Sequence, residues 1–161
     1  MEYLNKNAQK AYKEILSIIE FPNFLFSNDP KLKLNESRYN YRYIHGFNRL
    51  IKKNRISEEV LINSLIFLEE KIEEYLCVHY HNKQFVLYIN GDAVVPAFTL
   101  TVQSFYGESV NCISLQELVT WYKENACFNG LEFVEAEEEL GTDSEETFPD
   151  SIRTYKRIIR T

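Results

Sequence analysis

Three potential metal ligands alternate in the middle of the chain. Cys77, His79 and His81 are each separated by one residue, and on a β-strand such residues project from the same face. A thiolate and two imidazoles on one face could share a zinc ion, but tetrahedral zinc requires a fourth ligand. No fourth ligand is apparent nearby, and Cys112 or Cys127 could supply one only if the fold brought it near. We therefore expect a half-buried strand end here and predict no metal site and no other cofactor.

An arginine and a histidine nearer the N-terminus could handle phosphate chemistry. Arg38 and His45 are separated by six residues within SRYNYRYIHGFNRLIKKNR, residues 37–55. On a helix this spacing resembles the R-x4-6-H element of HEPN ribonucleases. The resemblance covers this motif alone. It implies an all-helical fold, with His45 as the proton-transfer group and Arg38 as the phosphate stabiliser.

No other stretch of the sequence matches a catalytic or cofactor motif. There is no GxSxG nucleophile elbow, no Gly-rich phosphate loop and no HExxH zinc motif. Asp92 follows Asn90-Gly91, and a turn explains that position without catalysis. The three cysteines lack a CxxC pair, which is typical of buried free thiols rather than of a disulfide framework. We therefore predict that the protein is not an enzyme, with a ribonuclease using Arg38 and His45 as the enzymatic alternative.

The composition is that of a packed soluble protein. The 161 residues are 45% hydrophobic and include only five glycines and four prolines, and a chain of this length is sufficient for one hydrophobic core. Charged residues interrupt the N-terminal stretch MEYLNKNAQKAYKEIL, which excludes the apolar segment of a signal peptide, and no later window is an uncharged spanning run. We predict a soluble, cytoplasmic protein with a single globular domain, residues 1–161.

Helical periodicity dominates the first part of the chain. Residues 5–20 carry apolar side chains at helical spacing, and so does the stretch EEVLINSLIFLEEKIEEYL after Ser57, which can cap it. Between them, Asn35 or Ser37 can cap a helix that continues to residue 54. We expect about three N-terminal helices.

Strand and turn signals follow. Residues 78–113 are rich in Val, Tyr, Ile and Phe, which favours three to five antiparallel strands. Asn90-Gly91 lies between two apolar runs and predicts a hairpin turn, because both residues tolerate positive φ. Pro96 cannot donate to a strand ladder, so its strand is expected at an edge or at a bulge.

Helical signals return near the C-terminus. Ser114 and Glu117 have the spacing of a capping box and predict a further helix. Residues 131–136 could add a last strand, and SIRTYKRIIRT, residues 151–161, is interpreted as a short C-terminal helix capped by Asp150. The sequence thus predicts an α+β fold with N-terminal helices, an antiparallel β-meander, one further helix and a short C-terminal helix.

Charge is segregated along the chain, whose net charge is −6. Residues 1–56, the predicted basic helical part, contain eleven lysines and arginines and five acidic residues. Residues 57–150, the predicted acidic helix and sheet, contain three basic and nineteen acidic residues. Residues 151–161 contain four basic residues and no acidic residue. Opposite charges in separate segments predict surfaces that attract charged partners.

Two basic ridges follow if both basic segments are helical. Each helical residue turns by about 100°, which collects six side chains on one side of residues 37–54: Arg38, Arg42, His45, Arg49, Lys52 and Lys53. The second ridge would consist of Arg153, Lys156, Arg157 and Arg160. These ridges could contact the acidic region, face water, or bind phosphates of nucleic acid.

The highest density of negative charge lies between residues 132 and 150. Carboxylates at this density can imitate a nucleic-acid backbone or cover the basic cleft of an enzyme that acts on nucleic acid. The residues assigned to partner binding are Glu132, Glu135, Glu137, Glu138, Glu139, Asp143, Glu145 and Glu146. We predict a small interaction protein that binds a protein partner, such as a basic nuclease, in the manner of immunity proteins or phage-encoded inhibitors. The alternative function is direct nucleic-acid binding through Arg38, Arg42, Arg49, Lys52 and Lys53. For the acidic region itself, the alternative without a binding role is an ordinary solvated loop.

Overall fold

Helices and one antiparallel sheet make up the described part of the chain. The computed structural model describes residues 6–20, 23–44, 57–94, 97–107, 113–126 and 151–161. The helices are α1 (Lys6–Glu20), α2 (Lys33–Tyr39), α3 (Glu58–His79) and α4 (Leu115–Asn125), with a 3-10 turn at Pro30–Leu32. The strands are β1 (Arg42–Tyr43), β2 (Gln84–Asp92), β3 (Ala97–Ser104) and β4 (Ile152–Arg160). The predicted α+β class is confirmed.

The four strands form a sheet in the order β1-β3-β2-β4, and all neighbours are antiparallel. Only β2 and β3 are joined as a hairpin. The short β1 pairs with β3 at one edge, while β4 pairs with β2 over its entire length at the other edge. The sheet is therefore assembled from three separated parts of the sequence, and it is not the simple meander that the sequence predicts.

The prediction of a C-terminal helix is wrong, because residues 152–160 form β4. All nine residues of β4 pair with β2 in continuous register, from Ile152 opposite Asp92 to Arg160 opposite Gln84. The segment IRTYKRIIR fits either period, and its Ile, Thr and Tyr residues suit a strand. Pairing with β2 selects the strand over the helix. This pairing is between residues far apart in sequence, so local periodicity carries no information about it.

The helix predicted over residues 37–54 does not continue past Tyr39. Helix α2 ends at Tyr39, and Asn40 occupies its C-cap position. Arg42 and Tyr43 then form β1, opposite Leu100 and Thr99 of β3. Residues 45–54 lie outside the described residues. Tyr39 and Tyr43 are spaced for one helical face, but Tyr39, Tyr41 and Tyr43 together also fit the period of two of a strand, so the sequence pattern is ambiguous.

Asn90 and Gly91 do not form a turn; both lie inside β2. Gly91 is opposite Phe98, and an added Cβ would lie 3.2 Å from Leu118 and 3.3 Å from the Phe98 and Tyr122 rings. The glycine therefore allows α4 to approach the sheet closely. The chain turns after Asp92, whose Oδ1 accepts a 2.9 Å hydrogen bond from the Val94 N–H.

Three helix predictions are confirmed. Helix α1 spans nearly the predicted range. Helix α3 begins after Ser57, whose hydroxyl accepts from the Val60 N–H. Helix α4 begins with the full capping box of Ser114 and Glu117, and the hydrogen bonds from Ser114 hold the pKa of the Glu117 carboxyl below its usual range. None of the helices described is both long and apolar enough to cross a bilayer.

The hydrophobic core lies between α3, α4 and one face of the sheet. The sheet contributes side chains from alternate positions, and all are fully buried: Ile44, Phe85, Leu87, Ile89, Phe98, Leu100, Val102 and Ile159. The helices contribute Leu61, Leu65, Leu68, Ile72 and Leu76 from α3, and Leu118, Val119 and Tyr122 from α4. Helix α1 packs on α3, where the Tyr12 and Phe67 rings lie 4.8 Å apart.

Asn40 fixes the start of β1 against the rest of the structure. Its fully buried side-chain amide donates to the carbonyls of Leu25 (2.9 Å) and Val102 (2.8 Å), and its Oδ1 accepts from the Leu25 N–H (2.8 Å). The nearby Glu36 carboxylate, also buried, accepts from the Ser104 N–H (2.8 Å) and from the Ser27 N–H. Two side chains of one short segment thus join a loop to β3.

We expect Asn40→Asp to lower the free energy of unfolding by about 3 kcal/mol or more, because a carboxylate cannot donate to two buried carbonyls. Urea unfolding measures the change. Asn35→Asp is the matched control on the exposed side of α2 and should change stability by less than about 0.5 kcal/mol. Equal effects of the two substitutions would contradict this role of Asn40.

Candidate binding surface

The predicted metal ligands do not lie on one face. Helix α3 extends to His79, so Cys77 and His79 lie on a helix and not on the predicted strand, and residues two apart on a helix point in different directions. The His79 ring stacks on Tyr75 at 4.2 Å. Cys77 is exposed, so the expected burial is wrong for this thiol; Cys112 and Cys127 lie outside the described residues. The described ranges contain no group of three or more His, Cys, Asp or Glu that could hold a metal ion.

The N-terminal basic ridge is not formed as predicted. Arg38 is exposed on α2, whereas Arg42 follows on β1. The Arg42 guanidinium donates to the carbonyls of Tyr39 (2.7 Å) and Tyr41 (2.8 Å), and it lies 5.3 Å from the Phe24 ring centre. His45, Arg49, Lys52 and Lys53 lie outside the described residues. Since β1 follows α2, Arg38 and His45 are not on one continuous helix, as the ribonuclease resemblance requires.

The C-terminal basic residues divide between the two faces of the sheet. Arg153 and Arg157 face the helices, and the Arg153 guanidinium lies 5.3 Å from the Trp121 ring centre. Lys156 and Arg160 are on the second face, and the Lys156 ammonium lies 6.0 Å from the Phe105 ring centre. A strand thus separates side chains that a helix would have collected.

Arg157 is held by acidic residues of α3. Its guanidinium donates to Glu69 and, at 2.6 Å, to Glu73, and the Tyr155 hydroxyl donates to the other Glu69 oxygen at 2.6 Å. Burial lowers the pKa of Arg157, but the two carboxylates raise it by more, so the net direction is upward. Burial and the hydrogen bond to Glu69 raise the pKa of Tyr155. This part of the basic sequence is therefore structural.

Glu69 and Glu73 should contribute unequally to stability. Glu69 is nearly buried and accepts two hydrogen bonds, whereas Glu73 is partly exposed. We expect Glu69→Gln to cost about 2–3 kcal/mol, because its amide group would face donors. Glu73→Gln should cost about 0–1 kcal/mol. Chemical unfolding at neutral pH measures both, and a Glu73 effect as large as that of Glu69 would contradict the assignment.

The acidic residues that the structure describes include one exposed row on α3. Glu59, Glu70 and Glu74 are exposed there, in line with Asn63 and Ile66. Lys71 pairs with Glu74 at 2.6 Å. The eight carboxylates predicted to bind a partner, from Glu132 to Glu146, lie outside the described residues.

A groove crosses the second face of the sheet near the β2–β3 turn. It has a volume of about 490 Å³ and is lined by Tyr41, Tyr43, Asn90, Asp92, Ala97, Thr99 and Ile152. These residues come from β2, β3, β4 and the β1 region. Tyr43, Thr99, Asn90 and Thr154 are successive cross-strand neighbours, and the Thr154 hydroxyl donates to Asn90 Oδ1 at 2.7 Å. The groove therefore depends on correct register across the whole sheet.

The chemistry of the groove suits binding of a polar or cationic group. Tyr41 and Ile152 are 48% and 51% exposed, so an aromatic ring and an aliphatic side chain are available at opposite sides. Asp92 supplies a carboxylate, and the described lining residues include no Lys, Arg or His. Aromatic faces and a carboxylate attract cations. No single segment of the sequence reveals this site, because strand pairing brings its residues together. The alternating tyrosines at 39, 41 and 43 are its local signal.

Tyr122 lies on the helix side of the same end of the sheet. It is fully buried against Phe98, with ring centres 4.4 Å apart, and its hydroxyl has no hydrogen-bond partner among the described residues. Burial raises the pKa of this hydroxyl, and Tyr43 and Asp92 add to the increase. Within the described part of the chain, no hydrogen bond compensates the burial of this polar atom.

Tyr122→Phe should leave stability unchanged or raise it by up to about 1 kcal/mol, because it removes an unsatisfied hydroxyl. Tyr155→Phe is the matched comparison and should cost about 1–2 kcal/mol, because its hydroxyl donates to Glu69. Thermal and urea unfolding of both variants tests this. A larger loss for Tyr122→Phe than for Tyr155→Phe would show that the Tyr122 hydroxyl has a stabilising partner.

Comparisons of the chain with protein-family models, with curated proteins and with solved structures gave no match in any of the three.

Proposed function

We propose that this protein binds a basic protein partner, and that the partner is an enzyme acting on nucleic acid, which it inhibits by occlusion. The observation that carries the proposal is the groove beside Tyr41 and Tyr43, which combines aromatic side chains with the Asp92 carboxylate and has no described cationic lining residue. The net charge of −6 favours the same class of partner.

Within the groove, a lysine or arginine of the partner would lie against the exposed Tyr41 ring and near Asp92. Cation–π contacts of this kind contribute about 0.5–2 kcal/mol, depending on desolvation. Tyrosines are enriched among the residues that dominate interface energies, because they bury a large surface and lose little side-chain entropy. Ile152 would cover the apolar stem of the bound side chain.

Outside the groove, the acidic residues would act at longer range. The exposed carboxylates of α3 and the acidic segment 132–146 give the protein a negative field. Such a field accelerates the approach of a basic partner and weakens with added salt. It also disfavours direct binding of nucleic acid, because a polyanion would be repelled.

The test measures binding of a fluorescent oligo-arginine peptide at moderate salt. Tyr41→Ala should weaken binding about tenfold, equivalent to about 1.4 kcal/mol. Tyr39→Ala is the matched control, because Tyr39 is similarly exposed at 53% but does not line the groove; it should change binding by less than about twofold. Asp92→Asn, which can keep the hydrogen bond to Val94, should also weaken binding.

Binding of RNA by the wild type and by a further variant, Arg38→Glu, separates this proposal from the nucleic-acid alternative. Salt-sensitive binding of single-stranded RNA that is lost in Arg38→Glu would contradict the proposal, and so would equal effects of the Tyr41 and Tyr39 substitutions. For the inhibitory role, the protein should slow nucleic-acid hydrolysis by a basic nuclease that it binds, and Tyr41→Ala should reduce that inhibition in parallel with affinity.

A further inference from the structure

Strand β4 presents an edge of the sheet to its surroundings. It is the last strand in the order β1-β3-β2-β4, and all nine of its residues pair with β2. On its outer side, the described residues form one isolated β-bridge, in which Ile113 pairs in parallel with Tyr155. An edge strand carries a row of backbone donors and acceptors that can pair with a further strand.

The hydrogen-bonding register identifies which groups face outward. The Ala93 N–H donates to Ser151 O, and the Thr161 N–H donates to Lys83 O. In an antiparallel ladder the bonded pairs alternate, so the odd-numbered residues of β4 bond to β2. The N–H and C=O groups of Ile158 and Arg160 therefore point away from β2, beyond the bridge at Ile113.

The side chains at this end of β4 define the chemistry of a binding strand. Ile158 is 39% exposed, and Arg160 is exposed as well. Both project from the second face of the sheet, as does Lys156. The pattern along the edge is a cation, an aliphatic side chain and a cation at alternate positions. Opposite charges and apolar pairs directly across two strands are the combinations that stabilise a ladder.

We propose that the Lys156–Arg160 end of β4 accepts an extended acidic segment of a partner protein as a fifth strand. The segment would carry carboxylates on both sides of an aliphatic residue at alternate positions, as in Glu-x-Val-x-Glu. Backbone hydrogen bonds to Ile158 and Arg160 give affinity. For specificity, one carboxylate would lie opposite Arg160, and the other would lie at the end of the segment, where it approaches the Lys156 ammonium beside the Ile113 bridge.

A second copy of this chain is a poor occupant of the same edge. Strand β4 contains four basic residues and no acidic residue. Antiparallel pairing of two β4 strands centred on any residue from Tyr155 to Ile158 would place like charges directly opposite each other, which is destabilising. This surface is also separate from the groove, which is lined by Ile152 at the other end of β4, and it attracts the opposite charge.

The experiment measures binding of a labelled, end-capped peptide with the pattern Glu-Thr-Val-Thr-Glu to the full chain. Fluorescence anisotropy of the peptide reports the bound fraction. A peptide with lysines in place of the glutamates should bind at least tenfold more weakly. Ile158→Pro removes an outward N–H and leaves the β2 ladder intact, and it should weaken binding at least tenfold. Ile158→Thr keeps the N–H and the strand propensity, and it should stay within about threefold.

A peptide N-methylated at the amides that face β4 provides a test that does not depend on folding of the proline variant, and it should bind at least tenfold more weakly. Equal binding of the methylated peptide, or of the lysine peptide, overturns the proposal. A wild-type dimer that Ile158→Pro dissociates would assign the edge to a second copy. Peptide binding that appears only after glutamates 132–146 are replaced by glutamine would assign it to this chain's own acidic segment.

Discussion

The ladder between β2 and β4 is the interaction on which the rest of the structure depends. It brings nine residues from the C-terminal segment against the central hairpin and so completes one wall of the core with Ile159. The same register places Arg157 beside Glu69 and Thr154 beside Asn90. Core packing, the ion-pair network and the groove thus follow from a single pairing, and a slip of one residue would reverse the face of every β4 side chain.

The ladder also changes the meaning of the charge pattern. Basic residues that are adjacent in sequence are divided by strand geometry between a structural role, shown by Arg157 with Glu69 and Glu73, and an exposed role, shown by Arg160. At the other edge of the sheet, Arg42 is satisfied by backbone carbonyls. Charge segregation along the sequence therefore did not translate into two continuous basic ridges on the described surface.

Local signals in the sequence were sufficient for the helices that have their own caps. Capping residues mark the starts of two helices: Ser57 caps α3, and Ser114 with Glu117 caps α4. These starts are predictable because capping is a contact between residues close in sequence. The strands were harder to predict from the sequence. Gly91, for example, fits a turn when only its neighbours are considered, but in the fold it lies in a strand and allows close packing of α4. The groove was not predictable from any single segment, because its lining residues lie in or next to all four strands.

Residue-resolved amide hydrogen exchange on the intact protein tests the β4 assignment most directly. The account predicts alternation, with slow exchange at Arg157 and Ile159, whose N–H groups bond to β2, and fast exchange at Ile158 and Arg160, whose N–H groups point outward. Uniformly slow exchange across all four residues would contradict an open edge. Uniformly fast exchange would contradict the ladder itself.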